Sequence, residues 1–275
     1  MRPLLLALLL SNPLSTLAED THTLRLLTYN IHGGIGTDRV FDLKRIAAVI
    51  EGTDPDVVAL QEVDRKTRRS RGIDIASELA DLTGMDFVFG ASISFQGGQY
   101  GNAILSRIPI ESSRTLPLPE KIPVERRSLL SARLLVHGQA IRILATHLCH
   151  RKEENRIAAA SVLADVVEDL EGPSFLMGDL NALPDSKPLG MLYEAGWRKP
   201  SPTSRFTVPV KEPKRQIDYV LYCPPSTTEM RVREVSVLEE AVASDHRPLL
   251  VVFEWRSERS RDSGRGTPAE TETQE

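Results

Sequence analysis

Short apolar runs that end in polar residues recur along this chain, and they predict buried strands alternating with amphipathic helices. Two such runs, Leu24–Asn30 and Asp56–Val63, are separated by a helical pattern over Phe41–Glu51. In that pattern apolar residues recur at intervals of three and four, as on the buried face of a helix. A second helix is predicted over Ile73–Thr83. The first third of the chain therefore predicts strands packed against helices.

The middle of the chain predicts a hairpin, then a helix and a central strand. The apolar runs Ser128–Val136 and Gln139–His147 are joined at His137-Gly138, a spacing typical of a β-hairpin. Glu153–Leu170 carries the clearest apolar stripe and predicts the longest helix. It leads into Phe175–Met177, a short apolar run that predicts a buried strand.

The remaining segments complete an α+β pattern. They predict further strands over Phe87–Phe89, Ala103–Arg107, Gln216–Tyr222, Arg231–Leu238 and His246–Trp255, and a short helix over Leu189–Glu194. With 275 residues and 41% hydrophobic content, the chain can bury a large core in one domain or in two small ones.

The N-terminus has the three parts of a secretory signal peptide. Arg2 precedes the apolar run Leu4–Leu10, and the small residues of Ser15–Ala18 come before the charged Glu19. This pattern predicts a signal peptide over residues 1–18, and hence an exported protein, periplasmic or secreted. An uncleaved anchor is the alternative. The apolar run is too short to span a bilayer, and no other stretch of the sequence predicts a membrane span.

The charge pattern gives no general argument for nucleic-acid binding. The formal net charge is −4, whereas non-specific DNA binding draws its affinity from a broad basic surface. The folded domain is predicted over residues 22–256, and the polar tail 257–275 is predicted to be disordered. Within the domain the basic residues are local, at Arg65, Lys66, Arg68, Arg69, Arg71, Arg126, Arg127, Lys211, Lys214 and Arg215.

Polar residues stand at the ends of the predicted strands. Those at the C-terminal ends are Asn30, Glu62, His147, Asp179 and Asn181, and those at the starts are Asp218, Asp245 and His246. If the later strands run antiparallel to the earlier ones, all of these ends lie along one rim. Such groups are expensive to cluster unless a ligand or a metal balances them, so the pattern indicates a functional site.

Seven short motifs occur in a fixed order and together carry a resemblance. They are T-Y-N-I-H-G-G, L-Q-E-V-D, Y-G-N-A-I-L-S-R, T-H-L, G-D-L-N, Q-I-D-Y-V-L and S-D-H-R-P-L-L. From about Leu24 to Trp255 the chain resembles the endonuclease/exonuclease/phosphatase superfamily. The resemblance implies a four-layer α/β/β/α sandwich of two packed mixed β-sheets flanked by helices. It also implies metal-assisted hydrolysis of a phosphoester by water.

The resemblance assigns the metal ligands. Asn30 and Glu62 would hold a hard divalent cation, Mg²⁺ or Mn²⁺, for which carboxylate and amide oxygens are suitable ligands. Some members carry an acid two residues after the first asparagine, where this chain has His32. One metal or two therefore remain as alternatives.

The resemblance also assigns catalytic and substrate-binding residues. Asp179 would orient or deprotonate the attacking water, and Asn181 would contact the phosphate. His246 would be supported by Asp245 or Asp218, and either His246 or Asp179 could be the general base. The residues implied near the phosphoryl group are His147 as donor or acid, with Tyr100, Asn102 and Arg127 on the substrate side.

The predicted substrate is a small or flexible phosphodiester or phosphomonoester. The local basic groups can hold a compact phosphoester without following a duplex, so nucleic acid is not favoured and a non-specific nuclease is the second hypothesis. A catalytically inactive binding domain on the same fold is a third. The sequence makes no prediction of oligomeric state. Cys149 and Cys223 are predicted not to pair, since their places on the strands put them too far apart for a disulfide.

Overall fold

A computed structural model describes residues 21–169, 172–224 and 230–256. The predicted signal peptide and polar tail lie outside the described residues. The strands are β1 (Thr21–Asn30), β2 (Val57–Arg65), β3 (Asp86–Phe95), β4 (Gly98–Ser106), β5 (Ile110–Pro117), β6 (Ser128–Val136), β7 (Gln139–His147), β8 (Ser174–Asp179), β9 (Asp218–Cys223), β10 (Met230–Val237) and β11 (Leu249–Arg256). The helices are α1 (Leu43–Thr53), α2 (Ile75–Thr83), α3 (Glu153–Asp165) and α4 (Lys187–Glu194).

The strands form two mixed sheets. The first sheet has the order β10-β11-β1-β2-β4-β3, and the second has the order β5-β6-β7-β8-β9. In each sheet one pair is parallel, β1 with β2 and β7 with β8. The chain builds β1 to β4 of the first sheet, crosses to make the whole second sheet, and returns to add β10 and β11.

Alternation along the strands divides the interior into three apolar layers. Leu24 and Leu26 of β1 face the second sheet and join a cluster that includes Phe175 of β8. The intervening Leu27 and Tyr29 face the other way and pack with α1 and α2. A third cluster lies between the second sheet and α3 and α4. The resulting order of helices, sheet, sheet and helices confirms the predicted four-layer sandwich.

Local chemistry sets the ends of the helices on the first sheet. The Asp42 carboxylate accepts the backbone N–H of Arg45 at the start of α1, and Asp74 accepts that of Ser77 at the start of α2. These side chains satisfy N–H groups that have no partner within the helix. Gly84 ends α2 in the left-handed conformation, which a residue without Cβ adopts at little cost.

Some predicted elements differ from the structure. The short run Phe87–Phe89 is part of the longer β3, which forms a hairpin with β4 through Gln96 and Gly97. The strand Ile110–Pro117 was not predicted, because most of its residues are exposed and it lacks apolar alternation. The helix predicted over Glu153–Leu170 ends at Asp165 and continues as a 3-10 turn.

The sheet topology brings the polar strand ends to one rim. Because β1 and β2 are parallel, Asn30 and Glu62 lie at the same end of the first sheet. In the second sheet β8 is parallel to β7 and antiparallel to β9, so His147 pairs with Asp179 and Asp179 with Asp218 in the strand register. The predicted convergence of strand ends is confirmed.

Gly178 allows β8 to approach β7 closely beside this rim. Its φ is +144°, and a Cβ placed on it would lie 1.9 Å from the carbonyl oxygen of Thr146. No side chain fits there. The glycine therefore fixes the spacing of the two strands that carry His147 and Asp179.

Both cysteines are free, as predicted: Cys149 is buried and Cys223 is half-buried. Among the described residues, no helix has the length and apolar character needed to cross a membrane.

Candidate active site

A cavity of about 300 Å³ opens at the rim where the two sheets meet. Its lining residues are Glu62, Arg69, Ile93, Phe95, Tyr100, Glu125, Arg127, His147, His150, Asp179, Asn181 and His246. Most of the residues predicted from the sequence are in this set. Asn30 and Asp218 do not line the cavity, but they form hydrogen bonds with the lining residues Asp179 and His246. Asn102 and Asp245 do not line the cavity either.

Asn30 links the acids of the two sheets. Its Nδ2 donates to Glu62 Oε1 and to Asp179 Oδ2, both at 3.2 Å, and its Oδ1 accepts the backbone N–H of His32 at 3.1 Å. The backbone N–H of His32 requires an acceptor, so this contact identifies the oxygen of the Asn30 side-chain amide and hence its nitrogen. In this arrangement Asn30 positions the two carboxylates. Its predicted role as a metal ligand stays a prediction.

Glu62 is held in an unusual backbone conformation. It lies where the register between β2 and β4 shifts, and its φ is +59°. Strained conformations of this kind persist where the surroundings enforce them, often at functional sites. Among the described residues Glu62 accepts one hydrogen bond, at Oε1. Glu62 lines the cavity, and its other oxygen accepts no hydrogen bond from a described residue. An oxygen donor of this charge fits a hard divalent cation.

The residue at the second candidate metal position is His32, and its side chain makes a different contact. His32 turns its Nδ1 to the carbonyl oxygen of Ile35 at 3.1 Å and does not line the cavity. The structure therefore gives no oxygen donor at the place where some family members carry an acid.

His246 forms a buried pair with Asp218. Its Nδ1 donates to the Asp218 carboxylate, with the nitrogen 2.9 Å from Oδ2 and 3.2 Å from Oδ1. Thr207 Oγ1 also donates to Asp218 Oδ2, at 2.5 Å. The Nε2 edge of the ring lies 3.7 Å from Asp179 Oδ2. Asp218 thus orients the imidazole and directs Nε2 toward the cavity.

The ligand atoms of Asp179, Asp218 and His246 lie within 4.8 Å of one another, so this trio is a candidate metal site. The hydrogen bonds argue for another use. Both Asp218 oxygens already face the donors of His246 and Thr207, and a ring nitrogen that donates to a carboxylate is not a free ligand. Glu62 is the better candidate for a cation.

Burial and charge shift the pKa values of this group. Burial by itself lowers the pKa of His246, but the charge and hydrogen bond of Asp218, with Asp179 and Asp245 adding to them, raise it to about 10. Burial, together with the charge of Asp218, raises the pKa of Asp179 to about 7. At neutral pH His246 is therefore a cation beside a carboxyl group whose own pKa lies near the pH of the solution.

His147 is a neutral ring between Asn181 and Asp179. Asn181 Nδ2 donates to the carbonyl oxygen of Leu148 at 3.1 Å and to His147 Nε2 at 3.0 Å. His147 Nε2 also lies 3.4 Å from Asp179 Oδ2, so this nitrogen contacts a donor on one side and an acceptor on the other. Burial and the nearby Arg127 hold the pKa of His147 well below its usual range. Nδ1 is buried and has no partner in the described part of the chain, so it does not face the cavity, and the neutral ring is not an acid.

The predicted substrate-side residues take different positions. Arg127 is buried, with Nη1 3.0 Å from Glu125 Oε1, and lines the cavity, as does Tyr100. Asn102 does not line it. Its Nδ2 donates to the carbonyl oxygen of Ser128 at 3.2 Å, so it supports the strands behind the cavity. The predicted contact of Asn102 with the phosphate has no counterpart in this geometry.

Asp245 also differs from the prediction. It was one of two candidate partners for His246, but its side chain is exposed and the ring nitrogen faces Asp218. Its carboxylate accepts only a long contact, 3.4 Å, from Ser244 Oγ. Sequence adjacency placed Asp245 beside His246, whereas the fold brings Asp218 from another strand.

Arg69 was not singled out from its basic loop, yet it lines the cavity. A fully buried Asp64 binds it at both ends, Nε to Oδ2 at 2.6 Å and Nη2 to Oδ1 at 3.0 Å. The guanidinium lies 5.0 Å from the ring centroid of Phe95 and 5.7 Å from that of Tyr100. Bidentate pairing and stacking fix its position. The five basic residues of the loop look alike in the sequence, so only the pairing with Asp64 distinguishes this one.

A four-layer sandwich with buried acids and histidines at one rim defines a class of hydrolases that act on phosphoester bonds. The profile of the endonuclease/exonuclease/phosphatase family matches residues 27–246. The chain therefore belongs to that family.

Relatives and solved structures agree with this assignment. The chain is 31% identical over 170 residues to the uncharacterized protein YbhP of Escherichia coli (strain K12), a match over 57% of this chain and 66% of YbhP, just under two thirds of its length. A crystal structure of endonuclease/exonuclease/phosphatase from Beutenbergia cavernae shares 28% identity at a TM-score of 0.71, over 84% of this chain and 71% of that one. The Bacteroides thetaiotaomicron mannosyl-6-phosphatase Bt3783 shares the fold, with 17% identity, a TM-score of 0.69, and coverage of 84% and 99%.

Proposed function

We propose that this chain is an exported, divalent-metal-dependent phosphoesterase that hydrolyses a small or flexible phosphodiester or phosphomonoester. One observation carries the proposal: Glu62, Asp179 and the His246–Asp218 pair, which come from both sheets, converge on one cavity of about 300 Å³. A cavity of this size suits a phosphoryl group and a small part of its substituent.

Glu62 and Asn30 are the residues that would hold a magnesium or manganese ion. When bound, such an ion stabilises charge on the phosphoryl oxygens as a Lewis acid. The donor set supports this choice, because Glu62 keeps one carboxylate oxygen free of described hydrogen bonds. Asn30 fixes the orientation of the Glu62 carboxylate.

The proton-transfer roles follow from the hydrogen bonds. His246 already shares a proton with Asp218, so it acts as a charged donor to the phosphoryl oxygens through Nε2. Asp179 then takes a proton from the attacking water as its oxygen bonds to phosphorus and the bond to the leaving oxygen breaks. Asn181 N donates to Asp179 Oδ1 at 2.9 Å, which orients this carboxylate toward the cavity. Arg127 adds positive charge to the cavity wall, where the neutral His147 also lies.

The substrate is proposed to be small because the cationic groups are local. Arg69 and Arg127 are inside the cavity, whereas Arg65 pairs with Asp74 at 3.0 Å and Lys214 pairs with Glu212 at 3.1 Å outside it. A phosphatase of a sugar phosphate, Bt3783, uses the same fold. These observations support a compact phosphoester over a duplex.

A panel assay on the purified protein tests the activity. The substrates are p-nitrophenyl phosphate, bis-p-nitrophenyl phosphate, sugar phosphates, sphingomyelin, RNA and duplex DNA, each with magnesium, with manganese and with excess chelator. We expect metal-dependent release of product from the small phosphoesters. Faster cleavage of duplex DNA than of every small substrate at physiological salt would favour the nuclease alternative, and no product from any of them would favour an inactive binding domain.

Three variants test the site. Glu62→Gln removes the charge from the proposed ligand and should sharply raise the metal concentration needed for half-maximal activity. Asp179→Asn and His246→Gln should each lower kcat by at least about 10²-fold, as expected when a positioned proton-transfer or charge-stabilising group is lost. Near-normal turnover in either of these two would contradict the roles given to Asp179 and His246. Lys214→Gln, an exposed change outside the cavity, is the control.

Export has its own test. Expression of the full chain in a bacterial host, followed by N-terminal sequencing of the protein from the periplasm or the medium, should give a mature protein that starts at Glu19. Recovery of the uncleaved chain in the membrane fraction would support the anchor instead.

A further inference from the structure

A second, larger hollow adjoins the active-site cavity. This hollow, the lateral groove, has a volume of about 880 Å³ and shares Ile93, Glu125 and His150 with the cavity. Its other lining residues are Ala91, Ser92, Ser94, Gln99, Pro123, Val124, Arg126 and Arg151. The shared residues make the two hollows adjacent, so a substrate whose phosphoryl group is in the cavity has the groove beside it.

His150 stands between two guanidinium groups at the junction of the two hollows. Its Nδ1 lies 3.2 Å from Arg127 Nη2, and its Nε2 lies 3.1 Å from Arg151 Nε. A guanidinium donates hydrogen bonds and accepts none, and a neutral imidazole has one acceptor nitrogen. One of the two contacts must therefore place an N–H against an N–H. If the ring took up a second proton, both of its nitrogens would be donors and both contacts would be unfavourable.

The carboxylates that the structure describes near the junction leave one of its guanidinium groups, that of Arg151, without an ion pair. Glu125 binds Arg127 at 3.0 Å, and Glu120 lies 4.0 Å from Arg126, whose side chain is 78% exposed. Arg151 forms no ion pair with any residue that the structure describes. The negative charge of Glu62 also acts on His150, so the excess of donors is local to Arg151 and the ring nitrogen that it contacts. Unpaired donors of this kind are what an anion site requires.

The floor of the groove adds neutral polar groups. Ser94 and Gln99 lie on β3 and β4 beside Ile93, and they can hydrogen-bond hydroxyl groups. A volume of about 880 Å³ is that of a site for a small molecule and not for a duplex.

We propose that the lateral groove binds a second phosphate of the substrate, carried on a small hydroxylated skeleton, with Arg151 and His150 as its ligands. This inference rests on the proposed phosphoesterase function and specifies its substrate class. A phosphate accepts from Arg151 and from the His150 N–H at once, so it removes the unfavourable contact between them. The second phosphate is bound but not cleaved, because Asp179 and His246 are in the other hollow.

A pair of chromogenic substrates tests the inference. Thymidine 5′-(p-nitrophenyl phosphate) and its 3′-phosphorylated form share the reacting group and the leaving group, and they differ only in the second phosphate. With the wild-type protein and magnesium, we expect the 3′-phosphate to lower KM about five- to tenfold, the range for a charge-assisted contact in a partly exposed groove.

Arg151→Gln should abolish most of this preference. Arg233→Gln makes the same change of charge on β10, at the opposite edge of the first sheet from β3. This control variant should retain the wild-type preference for the 3′-phosphorylated substrate. Equal KM values for the two substrates in the wild type, or an unchanged preference in Arg151→Gln, would overturn the inference while leaving the phosphoesterase function intact.

A binding measurement separates the two proposals. Calorimetry with adenosine 3′,5′-bisphosphate and with glucose 1,6-bisphosphate needs no turnover, so it decides the inference even if neither chromogenic substrate is cleaved. We expect at least one of them to bind, and Arg151→Gln to weaken that binding about five- to tenfold. The comparison of the two affinities shows whether the groove prefers a bisphosphate carried on a nucleoside or one carried on a sugar. Binding of neither, or equal binding to wild type and variant, would overturn the proposed subsite.

Discussion

Replacing Asp218 by Asn should remove a pH dependence from the stability of the metal-free protein. The folded protein raises the pKa of His246 to about 10, whereas an unfolded histidine has a pKa of about 6.5. The raised pKa stabilises the fold fully below the unfolded value, and this stabilisation is lost as the pH rises through the folded value. The native state therefore holds one more proton than the unfolded chain between these limits.

The size of the effect follows from linkage. A difference of one bound proton changes the free energy of unfolding by about 1.4 kcal/mol per pH unit. Between about pH 7.5 and about pH 9 the wild type should lose about 2 kcal/mol of stability. This window lies above the pKa of about 7 for Asp179 and below the pKa of unfolded tyrosines. Burial raises the pKa of Cys223 above the unfolded value of about 8.5, so this thiol adds to the slope in the wild type and in Asp218→Asn alike.

Asp218→Asn removes the largest cause that raises the pKa of His246 and leaves burial, which lowers it. We expect most of the pH slope to disappear and the variant to be less stable at neutral pH by about 3 kcal/mol, as for a broken buried ion pair. The assay is urea unfolding with excess chelator, followed by the fluorescence of the buried Trp197 and Trp255. Asp86→Asn, an exposed change on β3, is the matched control. Equal slopes in Asp218→Asn and the wild type would refute this account of the pair.

Three further predictions concern other parts of the molecule. Asp64→Asn and Arg69→Lys should each lower kcat/KM about tenfold without unfolding the protein, because each breaks the bidentate pair that holds the guanidinium in the cavity; unchanged kinetics in both would exclude this role. Gly178→Ala should destabilise the fold by about 3 kcal/mol or more, since its Cβ would overlap a carbonyl oxygen of the neighbouring strand, and an unshifted thermal midpoint would contradict this. Thiol titration of the denatured, unreduced protein should detect both Cys149 and Cys223, and finding no thiol would show that they pair.

The sequence predicts those strands and helices whose side chains are buried on one face or on both faces. The hairpin of β6 and β7 agrees with its predicted limits, because both strands are apolar runs and His137-Gly138 forms the turn between them. By contrast β5 is an edge strand that exposes most of its side chains. Its stability comes from pairing with β6, a long-range contact that leaves no periodic pattern in the sequence.

Site residues at strand ends were predictable, because a polar group after a buried strand is conspicuous. Their partners were not. Asp218 and Asp245 looked equally able to support His246, and only the antiparallel pairing of β8 with β9 places Asp218 at the ring. In the same way, the role of Arg69 depends on the burial of Asp64, which is a property of the folded loop and not of its composition.

The return of the chain to the first sheet has a consequence for the timing of activity during synthesis. The ribosome releases the N-terminal part of a chain first, and domains fold as their residues emerge. Glu62, Asp179 and Asp218 are made well before His246, which immediately precedes β11, the strand that pairs with β1. A nascent or truncated chain that ends before His246 has acids at the rim but no imidazole and an unpaired β1. For the proposed phosphoesterase, activity therefore depends on the segment from His246 through β11, the final strand among the described residues.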